Sequence, residues 1–304
     1  MDTVKFGKLT IMPDYGRILK LEPVEGVNVF WNNPSSEKTA YGWFNPGGDR
    51  IWISPESEFF MPGGTDENYF VPEGMDPGKY STPEISDNVF TMKADISVDF
   101  LLRGKSMDLK LTRKISELES DAPDGVAFAG YKQESVLTAA ENFTSELRPA
   151  LWSIVQLPAG GKITFPAGKT VKYSGEVPHY DIVDGKISFS LPAENGSFKL
   201  GVPSDHTRGV MAYMNLSGNQ PYLVIRNFSF VKNGRYADAP LGSPDTPCAQ
   251  QFYFDDGNLG GFGEMEYHTE YLTPENPSIN DVSYLRAYVG DADKLRNILE
   301  KAFK

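Results

Sequence analysis

Apolar and polar residues alternate in short runs along most of the chain, the period-two pattern of strands with one face in water. Met107, Leu109 and Leu111 alternate with Asp108, Lys110 and Thr112, and the run VFTMKADISVDFLLRG from Val89 behaves alike. Earlier, Leu9 and Ile11, then Ile18, Leu19 and Leu21, then Val27, Val29 and Trp31 predict a sheet edge and a hairpin within residues 4–31. LWSIVQL (Leu151–Leu157) predicts a buried strand, followed by a Pro-Ala-Gly-Gly turn and a strand at Lys162–Pro166. Short strands continue through TVKYSG, GKISFSLP, FKLGV, RGVMAYMNL, YLVIRNFSFV, QQFYFDD, GEMEYHTEY and SYLRAYVG. Strands bounded by Gly, Pro, Asn and Asp at intervals of about 8–12 residues predict an all-β sandwich or barrel. Ser135–Asn142 reads as either strand or helix. One helix is predicted over 291–303, with Asp291 as N-cap and Leu295, Ile298, Leu299 and Ala302 as its apolar face, closing one end or an edge of the sheet. No linker and no long internal repeat divides the chain, so residues 1–304 read as one large β domain.

Two stretches depart from the alternation. Residues 60–86 are rich in Pro, Gly and acids and have no periodicity. A loop of that length inside a domain is functional or mobile; its aromatics Phe60, Tyr69, Phe70 and Tyr80 favour a lid or rim that packs down, and disorder is the alternative. Just before it, FNPGGDRIWISPE (Phe44–Glu56) sets an acid–base pair and a Trp beside a Gly-Gly turn. Carboxylate and guanidinium can take sugar hydroxyls and an indole can stack on a sugar face. Asn45, Asp49, Arg50, Trp52 and Glu56 are therefore candidates for gripping a polyol; a hairpin corner with a surface ion pair is the plainer reading.

A formal net charge of −12 argues against a nucleic-acid partner, which would need clustered Lys and Arg. No apolar run approaches the roughly 18–20 residues of a membrane span. The N-terminus shows no signal pattern, so a cytoplasmic location is expected, or a periplasmic or secreted one if a signal has been removed. Cys248, the only cysteine, permits no internal disulfide and no CxxC chemistry. GxSxG, Walker and Rossmann signatures are absent, and His residues lack HxH or HxxxH spacing, so neither a metal nor a cofactor is expected.

Candidate chemistry lies late in the chain. In GGFGEMEYHTEYL a strand would point Glu264, Glu266 and His268 to one side. Unpaired charges are too costly to bury against an apolar core, so the row faces water, a metal or a polar pocket. In a pocket, like-charge repulsion would raise one carboxyl towards neutrality and suit it to acid–base work; a solvated strand face is the alternative. Asp205-His206 with Arg208 offers a further His beside a carboxylate, and His179 a weaker one.

Four stretches together resemble the galactose mutarotase-like superfamily, and within it an aldose 1-epimerase-related branch: IMPDYGRILKLEPVEGVNVFWNNP, GGDRIWISPE, ENFTSELRPALWSIVQLPAGGKITFP and GEMEYHTEYL. The resemblance implies a large antiparallel β-supersandwich whose concave face binds a small sugar or glycan. It further implies a late Glu as general base at the anomeric hydroxyl, here Glu264 or Glu266, and a His that protonates the ring oxygen. The family's His motif aligns with Met211–Leu216, which puts Met211 where the acid belongs; His206 or His268 would have to replace it. The expectation is an aldose 1-epimerase-like isomerase, or a non-catalytic sugar-binding protein using the same face.

Overall fold

The computed structural model describes residues 2–35, 37–39, 41–140 and 143–304, apart from the side chain of Asp66. Among these the alternating runs become strands of two antiparallel sheets. The nine-stranded sheet runs Val4–Phe6, Leu9–Met12, Arg17–Leu21, Asp49–Ser54, Ala150–Leu157, Gly263–His268, Cys248–Phe254, Phe198–Pro203 and Val171–Gly175. The eleven-stranded sheet runs Asp181–Val183, Lys186–Ser190, Lys162–Pro166, Val210–Asn215, Tyr222–Phe228, Ser278–Val289, Ala127–Ala139, Lys105–Glu117, Val89–Phe100 and Lys79–Tyr80, with Glu84–Ser86 also on Val89–Phe100.

The sheets face each other across an apolar core. Val155, Leu157, Phe198, Leu200, Phe252 and Met265 of the first meet Met92, Ile115, Met211, Val224 and Leu285 of the second. Each such side chain contributes about 1.5–3 kcal/mol when fully buried. In Val89–Phe100 the even positions from Phe90 onward are the buried ones, so its register is held by the core and a one-residue slip would turn every apolar residue out. Ala150–Leu157 is buried at every position, because its second face also lies under protein.

Three local expectations change. Gly26–Trp31 is not a strand: the Asn28 side chain accepts from the amides of Leu21 (3.1 Å) and Phe30 (3.1 Å), taking the place of a ladder partner. Ser135–Ala139 completes a strand, while Glu141 and Asn142, which open one of the resembling stretches, lie outside the described residues. The C-terminal helix spans Ala292–Ala302, capped by Asp291, which accepts from the Asp293 amide at 2.9 Å. It covers a face of the eleven-stranded sheet rather than an end. Leu295 and Leu299 pack on Leu223, Ile225 and Tyr288, in strands that carry apolar residues on both faces and so need a second cover. No helix among the described residues is long and apolar enough to cross a membrane.

Within residues 60–86, Phe60, Val71, Met75 and Asp76 are buried, while Lys79–Tyr80 and Glu84–Ser86 are short strands on Val89–Phe100 rather than loop, the latter exposed. Phe60 lies against Trp52 and stacks on Tyr69, and Asp76 accepts from Arg17 Nη2 (2.5 Å) and Trp52 Nε1 (3.0 Å). Phe60 and Asp76 thereby lie against Trp52 of the Asp49–Ser54 strand.

Candidate functional site

The Gly-Gly turn exists for the backbone. A Cβ on Gly48 would lie 2.2 Å from the Ile18 carbonyl oxygen and one on Gly47 2.4 Å from that of Trp31, and both residues have positive φ. Asn45 shapes the same turn: buried, it accepts from the Gly47 amide (3.2 Å) and Arg17 Nη1 (3.4 Å), and it is not among the residues lining the cavity that Arg50 and Trp52 border.

From that turn the strand Asp49–Ser54 sends consecutive side chains to opposite faces. Asp49 enters the space between the sheets, where Oδ1 accepts from Arg113 and Oδ2 from Tyr131 (2.7 Å) and Arg226 (2.8 Å). It is fully buried and does not reach the outer face on which the polyol candidates were placed. Arg50 and Trp52 do. Pairing register sets the floor of that outer face. One row reads Gln156, Glu264, Tyr253, Lys199 and Ser174 across five strands. The next reads Arg50, Ile154, Glu266, Gln251 and Gly201, and a third Trp52, Trp152 and His268. Glu264 and Lys199 flank Tyr253, two strand spacings or roughly 10 Å apart at the backbone.

Above this floor lies a cavity of about 410 Å³. Trp43, Trp52, Trp152, Tyr69, Tyr173, Tyr253 and Phe262 wall it, and Arg50, Glu56, Lys199, Asp238 and Glu264 bring charge to it. Two ion pairs organise the charges. Arg50 Nη2 donates to Glu264 Oε1 at 3.0 Å, Gln156 Nε2 donates to the same oxygen at 2.9 Å, and the guanidinium lies 4.0 Å over the Trp52 ring. Lys199 Nζ donates to Glu56 Oε2 at 2.7 Å and sits 3.5 Å from Glu266 Oε2, above the Trp152 ring. Burial pulls the Lys199 ammonium down, but Glu266, Glu56 and Asp238 outweigh it and hold it charged.

Glu266 lies beneath the cavity floor, accepting from Trp152 Nε1 at 2.6 Å. Burial pushes its carboxyl up to about 8, against the pull of Lys199 and helped by Glu264 and Glu56. His268 is also buried, stacked on Trp152, and burial together with the Lys199 charge holds it well below the usual imidazole range. It does not line the cavity. His206 stands elsewhere, half-buried in a loop beside Asp205 and Gly168. Met211 points into the inter-sheet core. The structure thus gathers Arg50, Trp52, Glu56 and Glu264 around one cavity, sets Glu266 and His268 behind it, and leaves Asn45, Asp49 and His206 outside.

Lys199, Tyr253, Trp152 and Asp238 were missed. Lys199 had a legible signal: it is the lone charge inside FKLGV, on the face opposite Phe198 and Leu200. Asp238 had none, since it belongs to an irregular segment brought in by Gln251, whose Nε2 donates to its Oδ2. Among the described residues no cluster of His, Cys, Asp and Glu could hold a metal ion.

This architecture is the galactose mutarotase-like fold. A protein from Escherichia coli K12 assigned as an aldose 1-epimerase superposes with a TM-score of 0.55 at 11% identity, over 94% of this chain and 97% of its own. A TPR-domain containing protein from Parabacteroides distasonis gives 0.50 at 10% identity, over 91% of this chain and 44% of its own. Galactose 1-epimerase from Lactobacillus acidophilus gives 0.47 at 11% identity over 95% and 94%. At such identities the likeness is one of fold alone. No protein-family model and no curated protein matches the chain.

Proposed function

We propose that the chain binds a sugar in this cavity and exchanges its anomers, with Glu264 as the base. The observation that carries the reading is the state of that carboxylate. Arg50 and Gln156 both engage Oε1, while among the described residues Oε2 accepts nothing, on the wall of an aromatic cavity. A volume of about 410 Å³ suits a monosaccharide, within the roughly 300–1,000 Å³ of small-ligand sites. Oε2 would take the anomeric hydroxyl proton as the bond from C1 to the ring oxygen opens. Lys199, charged and on the far side of Tyr253, offers the donor that the departing ring oxygen needs. The aldehyde then recloses from its other face with the protons returned. The aldose 1-epimerase assignment of the Escherichia coli protein with the same fold supports the choice of chemistry.

Placement of both histidines outside the cavity favours a second reading, sugar binding without turnover. NMR exchange spectroscopy or polarimetry on an aldose panel separates the two. Acceleration over buffer that is lost in Glu264→Gln supports the enzyme. Saturable binding with no acceleration leaves the binding protein, and neither binding nor acceleration rejects both.

A further inference from the structure

We infer that the sugar carries a protonated amine, held by Glu56 against the rings of Tyr69 and Tyr253, with Glu264 Oε2 kept for the anomeric hydroxyl; this rests on the cavity being a carbohydrate site. Three carboxylates line it, Glu56, Asp238 and Glu264, against two cations, Arg50 and Lys199. Each cation already faces a carboxylate, Arg50 Nη2 donating to Glu264 and Lys199 Nζ to Glu56, so neither brings net positive charge to the cavity. Asp238 is used by the fold, since its oxygens accept from the Glu56 amide (2.6 Å) and from Gln251 (2.5 Å). The oxygens left over among the described residues are Glu264 Oε2 and Glu56 Oε1. Both carboxylates line the cavity with Tyr69 and Tyr253; burial first, then Glu56 at Tyr69 and Asp255 at Tyr253, holds these hydroxyls above the usual phenol range, and Glu264 adds to it at both. Aromatic faces attract cations as well, so carboxylates and rings select for the same charge. A uronate would instead meet two carboxylates and cations whose charge those carboxylates already balance, in a protein already at −12.

Calorimetric titration of the full chain tests this with D-glucosamine and D-galactosamine, their N-acetyl forms, the parent hexoses and the corresponding uronates, in slightly acidic buffer at low and high salt. The expected result is that an amine binds at least 10-fold more tightly than its N-acetyl form and parent. The uronate should be weakest, high salt should shrink the advantage, and Glu56→Gln should narrow it further. Equal affinity of amine and N-acetyl form, or a uronate that binds best, overturns the inference while leaving a sugar site. No binding by any member of the panel overturns the carbohydrate reading beneath it. The wild-type amine-to-N-acetyl ratio decides the matter even if Glu56→Gln fails to fold.

Discussion

Asp49 and Arg50 are neighbours in sequence and sit in ion clusters of similar make-up on opposite faces of one strand. On the inner face both Asp49 oxygens are filled by Arg113, Arg226 and Tyr131, and those arginines are tied in turn to Gln133, the Gly16 carbonyl and Ser153. On the outer face the valences stay open. Arg50 Nε and Nη1, Glu266 Oε1, Gln156 Oε1, Gln251 Oε1 and both nitrogens of His268 are buried without a partner among the described residues. A buried polar atom left unsatisfied costs about 1–3 kcal/mol, so a fold tolerates such a concentration where something else can meet it. The inner network leaves Arg226 Nε open where the outer one leaves seven atoms, so the number of open valences, rather than charge or burial, separates the structural cluster from the candidate site.

The sharpest way to break that comparison is Asp49→Asn. It strands two buried arginines, and loss of one partner from a buried pair costs about 3–5 kcal/mol. Urea unfolding should show a midpoint falling by the corresponding amount; an unchanged midpoint would mean the inner cluster is not structural. Glu264→Gln should reverse the pattern. Anomer exchange should fall by about 10²–10⁴-fold, the range for a general base. Stability should fall by only about 1–3 kcal/mol, since Arg50 keeps the Trp52 face and borders a cavity that water can enter. Equal loss of stability in both variants would erase the distinction.

Two smaller effects follow from protonation. The Glu266 carboxyl has an ordinary value of 4.5 and holds its proton to about 8 in the fold. Between those values the folded state binds the extra proton, so Glu266 contributes stability that is fully present below 4.5 and lost as pH rises through about 8. Glu266→Gln should flatten that decline in thermal unfolding profiles; an unaltered slope would show the carboxyl ionised throughout. His268 works in the other direction. Held well below its ordinary 6.5, it contributes stability present above that value and lost as pH falls below it. His268→Phe should keep the Trp152 stacking, change neutral-pH stability by less than about 1.5 kcal/mol as a near-volume-conserving swap, and move acid unfolding to lower pH. An unmoved acid limb would mean His268 already titrates normally.

How much was legible depended on the range of the signal. Alternation in Val89–Phe100 and the cap and apolar face of Ala292–Ala302 were readable, because strand and helix periods are local. Period two also put Glu264, Glu266 and His268 on one face correctly. It could not tell which of them would meet a cavity, since depth depends on what covers the strand. Trp152 and Lys199 cover Glu266, and both come from distant segments. The same alternation applied to Asp49 and Arg50 would have parted them; reading them as a surface pair overlooked that neighbours in a strand face opposite ways.

The sequence by itself determined an antiparallel β protein with one terminal helix, the strands' inner and outer faces, and the residue types able to handle a sugar. Each follows from periodicity, turn chemistry and side-chain chemistry within a few residues. Only the tertiary structure decided that Arg50 meets Glu264 across 214 positions, that Lys199 lines the cavity while His206 and His268 do not, and which valences stay open. Those outcomes depend on strand order and register, which bring together residues that no local pattern connects.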